Sequence, residues 1–150
     1  FMCDAESMRL IDASETNADL VCASHSPPLS DWYHSAEWSE HRPFPIIYSS
    51  MLCACRMSPR LLLETQRFAQ RNGRLYFLEY FFNSLCEHMG LSVATPPELQ
   101  TVVFRKNYEQ DDIRKNPTFI YHPIKDLSLQ TSLRSKACKW PTQTTTTSTV

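Results

Sequence analysis

Two glycines, Gly73 and Gly90, stand in a chain of 150 residues. Glycine enters left-handed backbone without steric cost, so tight turns and phosphate-cradling loops draw on it. A chain this poor in glycine has no glycine-rich phosphate loop, which excludes a self-contained mononucleotide-binding fold of that kind. Both glycines read instead as helix stops. Ser58 and Pro59 form a helix start, with a hydroxyl cap and proline at the first position. Leu61, Leu62, Glu64, Phe68 and Ala69 follow, so the spacing predicts an amphipathic helix over residues 59–71, stopped by Asn72 and Gly73. A second helix, residues 75–88, carries Leu78, Phe81, Phe82, Leu85 and Met89 at helical spacing and ends at Gly90.

Around this helical pair the chain reads as short strands and loops. Residues 1–3 resemble the end of a buried strand, and residues 7–17 a loop or a short turn of helix. Residues 18–23 form a strand candidate, closed by the Ser-Pro-Pro break ending at Pro28. Residues 29–45 are aromatic and polar together and read as a partly exposed surface loop. Residues 46–55 are the most strand-like run, and residues 91–94, 101–105 and 118–121 are shorter candidates separated by a charged loop over 106–115. Beyond Trp140 a Thr-rich tail has little to bury and reads as extended or disordered. The expected class is α/β, a partial Rossmann-like arrangement with a mixed sheet and at least two packed helices.

A formal charge of −1 and a pI near 6.6 give no electrostatic case for nucleic acid or an anionic membrane. Six cysteines, at positions 3, 22, 53, 55, 86 and 138, form an even set. They suit disulfides in a secretory compartment such as the Golgi lumen, and equally suit buried free thiols, so the compartment stays open. The start at Phe1, inside an apolar run, reads as an internal or C-terminal piece of something longer.

Chemistry-bearing residues fall in several places. Asp4 and Glu6, at i and i+2, form an acidic triplet with Ala5 that suits a hard cation such as Mg²⁺ or Mn²⁺. His122 and Lys125 flank Pro123 after the last strand candidate; an imidazole can ligate Mn²⁺ and an ammonium can neutralise a diphosphate. Glu79 lies among Leu78, Tyr80, Phe81 and Phe82, where lost hydration raises a carboxyl pKa and suits a general base, unless it faces solvent or an arginine. Arg56 and Arg60 flank the helix start, where they meet an anion or simply face water. Trp32 and Trp38 offer surfaces for a sugar ring, with Asp31, Glu37 and Glu40 as hydroxyl partners, or else anchor the loop to the domain itself.

In this order the chain resembles the glycosyltransferases of the nucleotide-diphospho-sugar transferase (GT-A) fold. The matching features are the acidic motif after an apolar run at residues 1–6, an aromatic loop, the Arg56-Met57-Ser58-Pro59-Arg60 junction, an acid in an aromatic helix start, and His122-Pro123-Ile124-Lys125. The resemblance implies that residues 1–126 are the C-terminal portion of such a catalytic domain and residues 127–150 an extension. It implies that Asp4, Glu6 and His122 hold Mn²⁺ or Mg²⁺, with Glu6 departing from the commoner aspartate. It further implies Lys125, Arg56 and Arg60 at the diphosphate, Glu79 as the acid that activates the acceptor hydroxyl, and Asp31, Trp32 and Trp38 at the acceptor. Its partners would be a nucleotide-diphospho-sugar, a hydroxyl acceptor, and an upstream segment or partner chain completing the sheet. Two other readings stand beside it. One is a secreted interaction module with paired cysteines and an exposed tryptophan loop; the other is a noncatalytic fragment of a larger assembly.

Overall fold

The computed structural model describes residues 5–27 and 35–137. In chain order these form α1 (Ala5–Ser14), β1 (Leu20–Val21), α2 (Ser35–His41), β2 (Arg56–Met57), α3 (Pro59–Asn72), α4 (Leu78–Met89), β3 (Val93–Ala94), a single 3₁₀ turn (Pro97–Leu99), α5 (Gln110–Lys115) and α6 (Leu127–Ala137). The fold is mixed α/β, with several helices around a small three-stranded mixed sheet ordered β2-β1-β3. β1 pairs antiparallel with β2, Leu20 opposite Met57, and parallel with β3, Leu20 opposite Val93.

β1 is the centre because its side chains alternate between two apolar layers. Leu20 and Cys22 point into a cluster with Leu61 and Phe68 of α3 and Phe81 and Leu85 of α4. Val21 points the other way, into a cluster with Ile11 of α1, Leu99, Val102 and Ile120. All three are fully buried, as a strand covered on both faces requires. A third cluster joins Tyr108, Ile113, Tyr121 and Ile124 to Leu133 of α6.

The helical pair forms as its punctuation predicts, with small shifts. The Ser58 hydroxyl accepts from the Leu61 amide at 3.0 Å, and Gly73 at φ 69° turns its N–H back to the Ala69 carbonyl. α4 begins at Leu78, three residues later than the spacing predicts, and Gly90 at φ 61° closes it. Its buried face is wider than one apolar stripe. Phe81 and Leu85 are buried, and so are the polar Asn83 and Ser84, while Leu78 is exposed.

That polar side of α4 explains why residues 46–55 are not a strand. The Tyr48 amide donates to Ser84 Oγ at 3.0 Å, and the Ser50 amide donates to the Glu79 carbonyl at 2.8 Å. The segment satisfies its backbone on a helix, and a single bridge between Ser26 and Ser49 is its β pairing among the described residues. Segments 101–105 and 118–121 likewise form no strand among the described residues; Val102 makes one parallel bridge to His122, just past the second segment.

Two stretches read as loops, the first alternatively as a short turn of helix, form helices. Residues 7–17 lie largely in α1, whose sparse inward face, Ser7 and Ile11, leaves a faint apolar period. Residues 110–115 form α5 through a reciprocal capping box between Glu109 and Asp112. The expected surface loop at 29–45 carries α2 in its later part. The strand expected at residues 1–3 lies outside the described residues.

Candidate functional site

A cleft of about 670 Å³ opens between α1, the 52–56 segment and the second apolar layer. Its floor is Ile11, Val21, Leu99 and Ile120, each buried and each part of the fold's own core or its edge. Its mouth carries Met8, Arg9 and Asp12 from α1 and Cys53, Cys55 and Arg56 from the segment that enters β2. Volumes of this size are typical of small-molecule sites, roughly 300–1,000 Å³.

The charges at the mouth are already matched. Arg9 Nη1 lies 2.9 Å from Glu6 Oε2, one helical turn away. Arg56 Nε lies 3.7 Å from Asp12 Oδ1, and its Nη2 donates to the Glu15 carbonyl. Arg56 therefore pins the C-terminal end of α1 to β2. The thiols of Cys53 and Cys55 are exposed and free. Desolvation first, and then the nearby Glu79 carboxylate, push the Cys53 thiol above its ordinary pKa; desolvation also raises Cys55.

Glu79 sits in the first turn of α4, half-buried, with its carbonyl held by Ser50. His122 is half-buried two residues beyond the floor residue Ile120, and its backbone is fixed by Val103 and Thr101. Lys125 is exposed, one residue past the buried Ile124. Glu6 is in the first turn of α1, on a helix rather than in a loop after a strand. Asp4, Asp31 and Trp32 lie outside the described residues. Trp38 lies in α2, half-buried, with its indole N–H enclosed and without a hydrogen-bond partner among the described residues. Its neighbours on α2, Glu37 and His41, face Arg74 at 3.4 and 3.3 Å, on the α3–α4 connection.

Arg60 is paired beside the helix cap with Asp19, whose Oδ2 lies 3.6 Å from Arg60 Nη1. Asp19 is a residue the sequence does not single out. It is nearly buried, accepts from Ser58 Oγ at 2.8 Å and from the Ser92 amide and hydroxyl at 3.0 and 3.1 Å. Burial raises its pKa, but these donors and Arg60 outweigh burial and hold the carboxyl below the ordinary carboxylate value. One carboxylate thus ties the helix cap of α3 to the chain entering β3.

A second polar cluster lies on the other side of β1. Asn83, fully buried on α4, donates to the Ser24 carbonyl and to His25 Nδ1, both at 3.0 Å. The His25 ring stacks on Tyr48 with centroids 4.3 Å apart, and its Nε2 lies 3.5 Å from Glu87. These contacts fasten the chain leaving β1 to α4.

Among the described residues the cysteines do not pair. Cys22, Cys53, Cys55 and Cys86 are all free thiols, so the disulfides expected of an interaction module are not made by these four. Among the described residues no three His, Cys, Asp or Glu side chains come together as a metal site. Glu6 and His122 are the two described members of the expected ligand set. Compared with known proteins, the chain matches no family model, no curated protein and no solved structure.

Proposed function

We propose that the chain is part of a sugar-transferring enzyme of the GT-A type and that the cleft beside α1 belongs to its substrate site. One observation carries the reading. Segments far apart in sequence that bear the expected site residues border this single cleft: α1 with Glu6, the 52–56 segment with Arg56, and Ile120, two residues before His122. Glu79 stands beside the lining segment rather than in the lining: its backbone carbonyl accepts from the Ser50 amide at 2.8 Å, three residues before Cys53. A carboxylate at such an edge is suited to taking the proton of an acceptor hydroxyl as the new glycosidic bond forms and the nucleotide diphosphate departs.

The described residues do not by themselves complete a divalent-cation site, since Glu6 is paired with Arg9 and no three His, Cys, Asp or Glu side chains come together among them. Holding Mn²⁺ or Mg²⁺ is proposed for Asp4, Glu6 and His122 together. The diphosphate role proposed for Lys125 is compatible with its exposure. Arg56 and Arg60 would have to exchange their present carboxylate partners, Asp12 and Asp19, to serve it.

The test is isothermal titration of nucleotide diphosphates, with and without Mn²⁺, against this chain alone and against the chain extended upstream. Mn²⁺-dependent binding in either form supports the reading, and absence of binding in both overturns it. In the form that transfers sugar, Glu79→Gln is expected to lower kcat by roughly 10²- to 10⁴-fold, the usual contribution of a positioned base.

A further inference from the structure

We infer that the cleft takes the apolar chain of an uncharged amphiphile, such as a long-chain alcohol, with the polar end at the mouth. Three observations carry this. The floor of Ile11, Val21, Leu99 and Ile120 offers no hydroxyl, amide or aromatic face. A saccharide needs hydrogen-bond partners and flat apolar surfaces, and would leave its hydroxyls unpaired there. Polar side chains are confined to the mouth. There the two arginines are each matched by a carboxylate, Arg9 by Glu6 and Arg56 by Asp12, so no charged side chain of the lining stands unmatched before a carboxylate or ammonium head. An ionic head would have to break one of these pairs, whereas a hydroxyl would not.

The exposed position of Met8 fits the same use. It is 56% exposed at the lip of the cleft, and a flexible thioether adapts to chains of different length. Binding of such a chain stands on the cleft alone. That its hydroxyl is the group glycosylated rests on the transferase reading above.

The probes are 1-octanol, 1-nonanol and 1-decanol, measured by calorimetry on the intact chain. Affinity should rise about fourfold per added methylene, the value expected for moving a CH₂ out of water. Decanoate and decyltrimethylammonium should bind more weakly than decanol. Decanol should also slow alkylation of Cys53 and Cys55 by iodoacetamide, read residue by residue by mass spectrometry. Met8→Asp, a change at an exposed lip position, should weaken decanol at least tenfold while the far-ultraviolet circular dichroism stays unchanged. Affinity indifferent to chain length, equal binding of the charged heads, or decanol binding without protection of the two thiols would each overturn the inference. Decanol binding with no sugar transfer to any acceptor leaves the inference standing and counts against the transferase. Transfer to a saccharide hydroxyl without decanol binding does the reverse.

Discussion

Asp19 shows how one side chain can join elements that the chain keeps far apart. Its carboxylate is shared by Ser58 at the α3 cap, by Ser92 before β3 and by Arg60 on the first turn of α3. Removing it strands the Ser92 amide and loosens the Ser58 hydroxyl. Asp19→Ala is therefore expected to destabilise the fold by about 1.5–3 kcal/mol, the range for hydrogen bonds to a charged group, measured by urea unfolding. The pH dependence follows from the direction of the shift. Because the folded pKa lies below the unfolded one, near 3.9 for an aspartate, this stabilisation is complete above the unfolded value. It is lost as pH falls through the folded value. Asp19→Asn should flatten the stability curve below about pH 4 while leaving the neutral region parallel to wild type. An unchanged acid slope in Asp19→Asn would show that other carboxylates control it.

At the scale of the element, the helical pair is where local signals and structure agree. Ser58, Pro59 and Gly73 act through the few atoms around them, so the boundaries of α3 depend little on the rest of the molecule. A Cβ at Gly73 would meet nothing within 4 Å, so its constraint is the positive φ rather than space. Gly73→Ala should cost about 1 kcal/mol and lower Tm by roughly 3 °C, and Gly73→Asn should cost less, because asparagine tolerates left-handed backbone. Equal losses would point to packing instead of backbone conformation. The strands are the opposite case. Residues 46–55 have the composition of a strand, yet their amides find Ser84 and the Glu79 carbonyl on α4. A preference for extended backbone does not say which donor or acceptor will lie alongside it.

At the scale of the whole molecule, the two apolar layers meeting at β1 set which thiols are reachable. Cys22 and Cys86 lie in the layer shared with α3 and α4, and Cys53 and Cys55 border the cleft on the other side. Burial, with the nearby Asp19 and Cys22, pushes the Cys86 thiol up to about 12. Alkylation of the native protein at mildly alkaline pH should modify Cys53 and Cys55 ahead of Cys22 and Cys86. Cys22 and Cys86 should react only on the timescale of unfolding. Peptide-resolved mass spectrometry checks this, and early labelling of Cys86 would contradict the layered core.

The amino-acid sequence by itself determined the features that depend on neighbours a few residues away. These are the cap at Ser58, the stops at Gly73 and Gly90, and the inward positions of Phe81 and Leu85. Hydroxyl caps and left-handed glycines act locally, and a repeated apolar spacing survives whatever it packs against. The cleft, the Asp19 junction and the fate of residues 46–55 were decided by the tertiary structure. Each depends on groups tens of residues apart: Ile11 against Ile120, Asp19 against Ser92, Tyr48 against Ser84. Nothing in the spacing of isolated isoleucines or serines marks such partners, because burial and pairing are properties of where the chain returns. The charge balance at the mouth of the cleft belongs to the same class. Arg56 reads in sequence as an anion ligand or a solvent-facing cation, and it becomes the partner of Asp12 and the Glu15 carbonyl when α1 packs against β2.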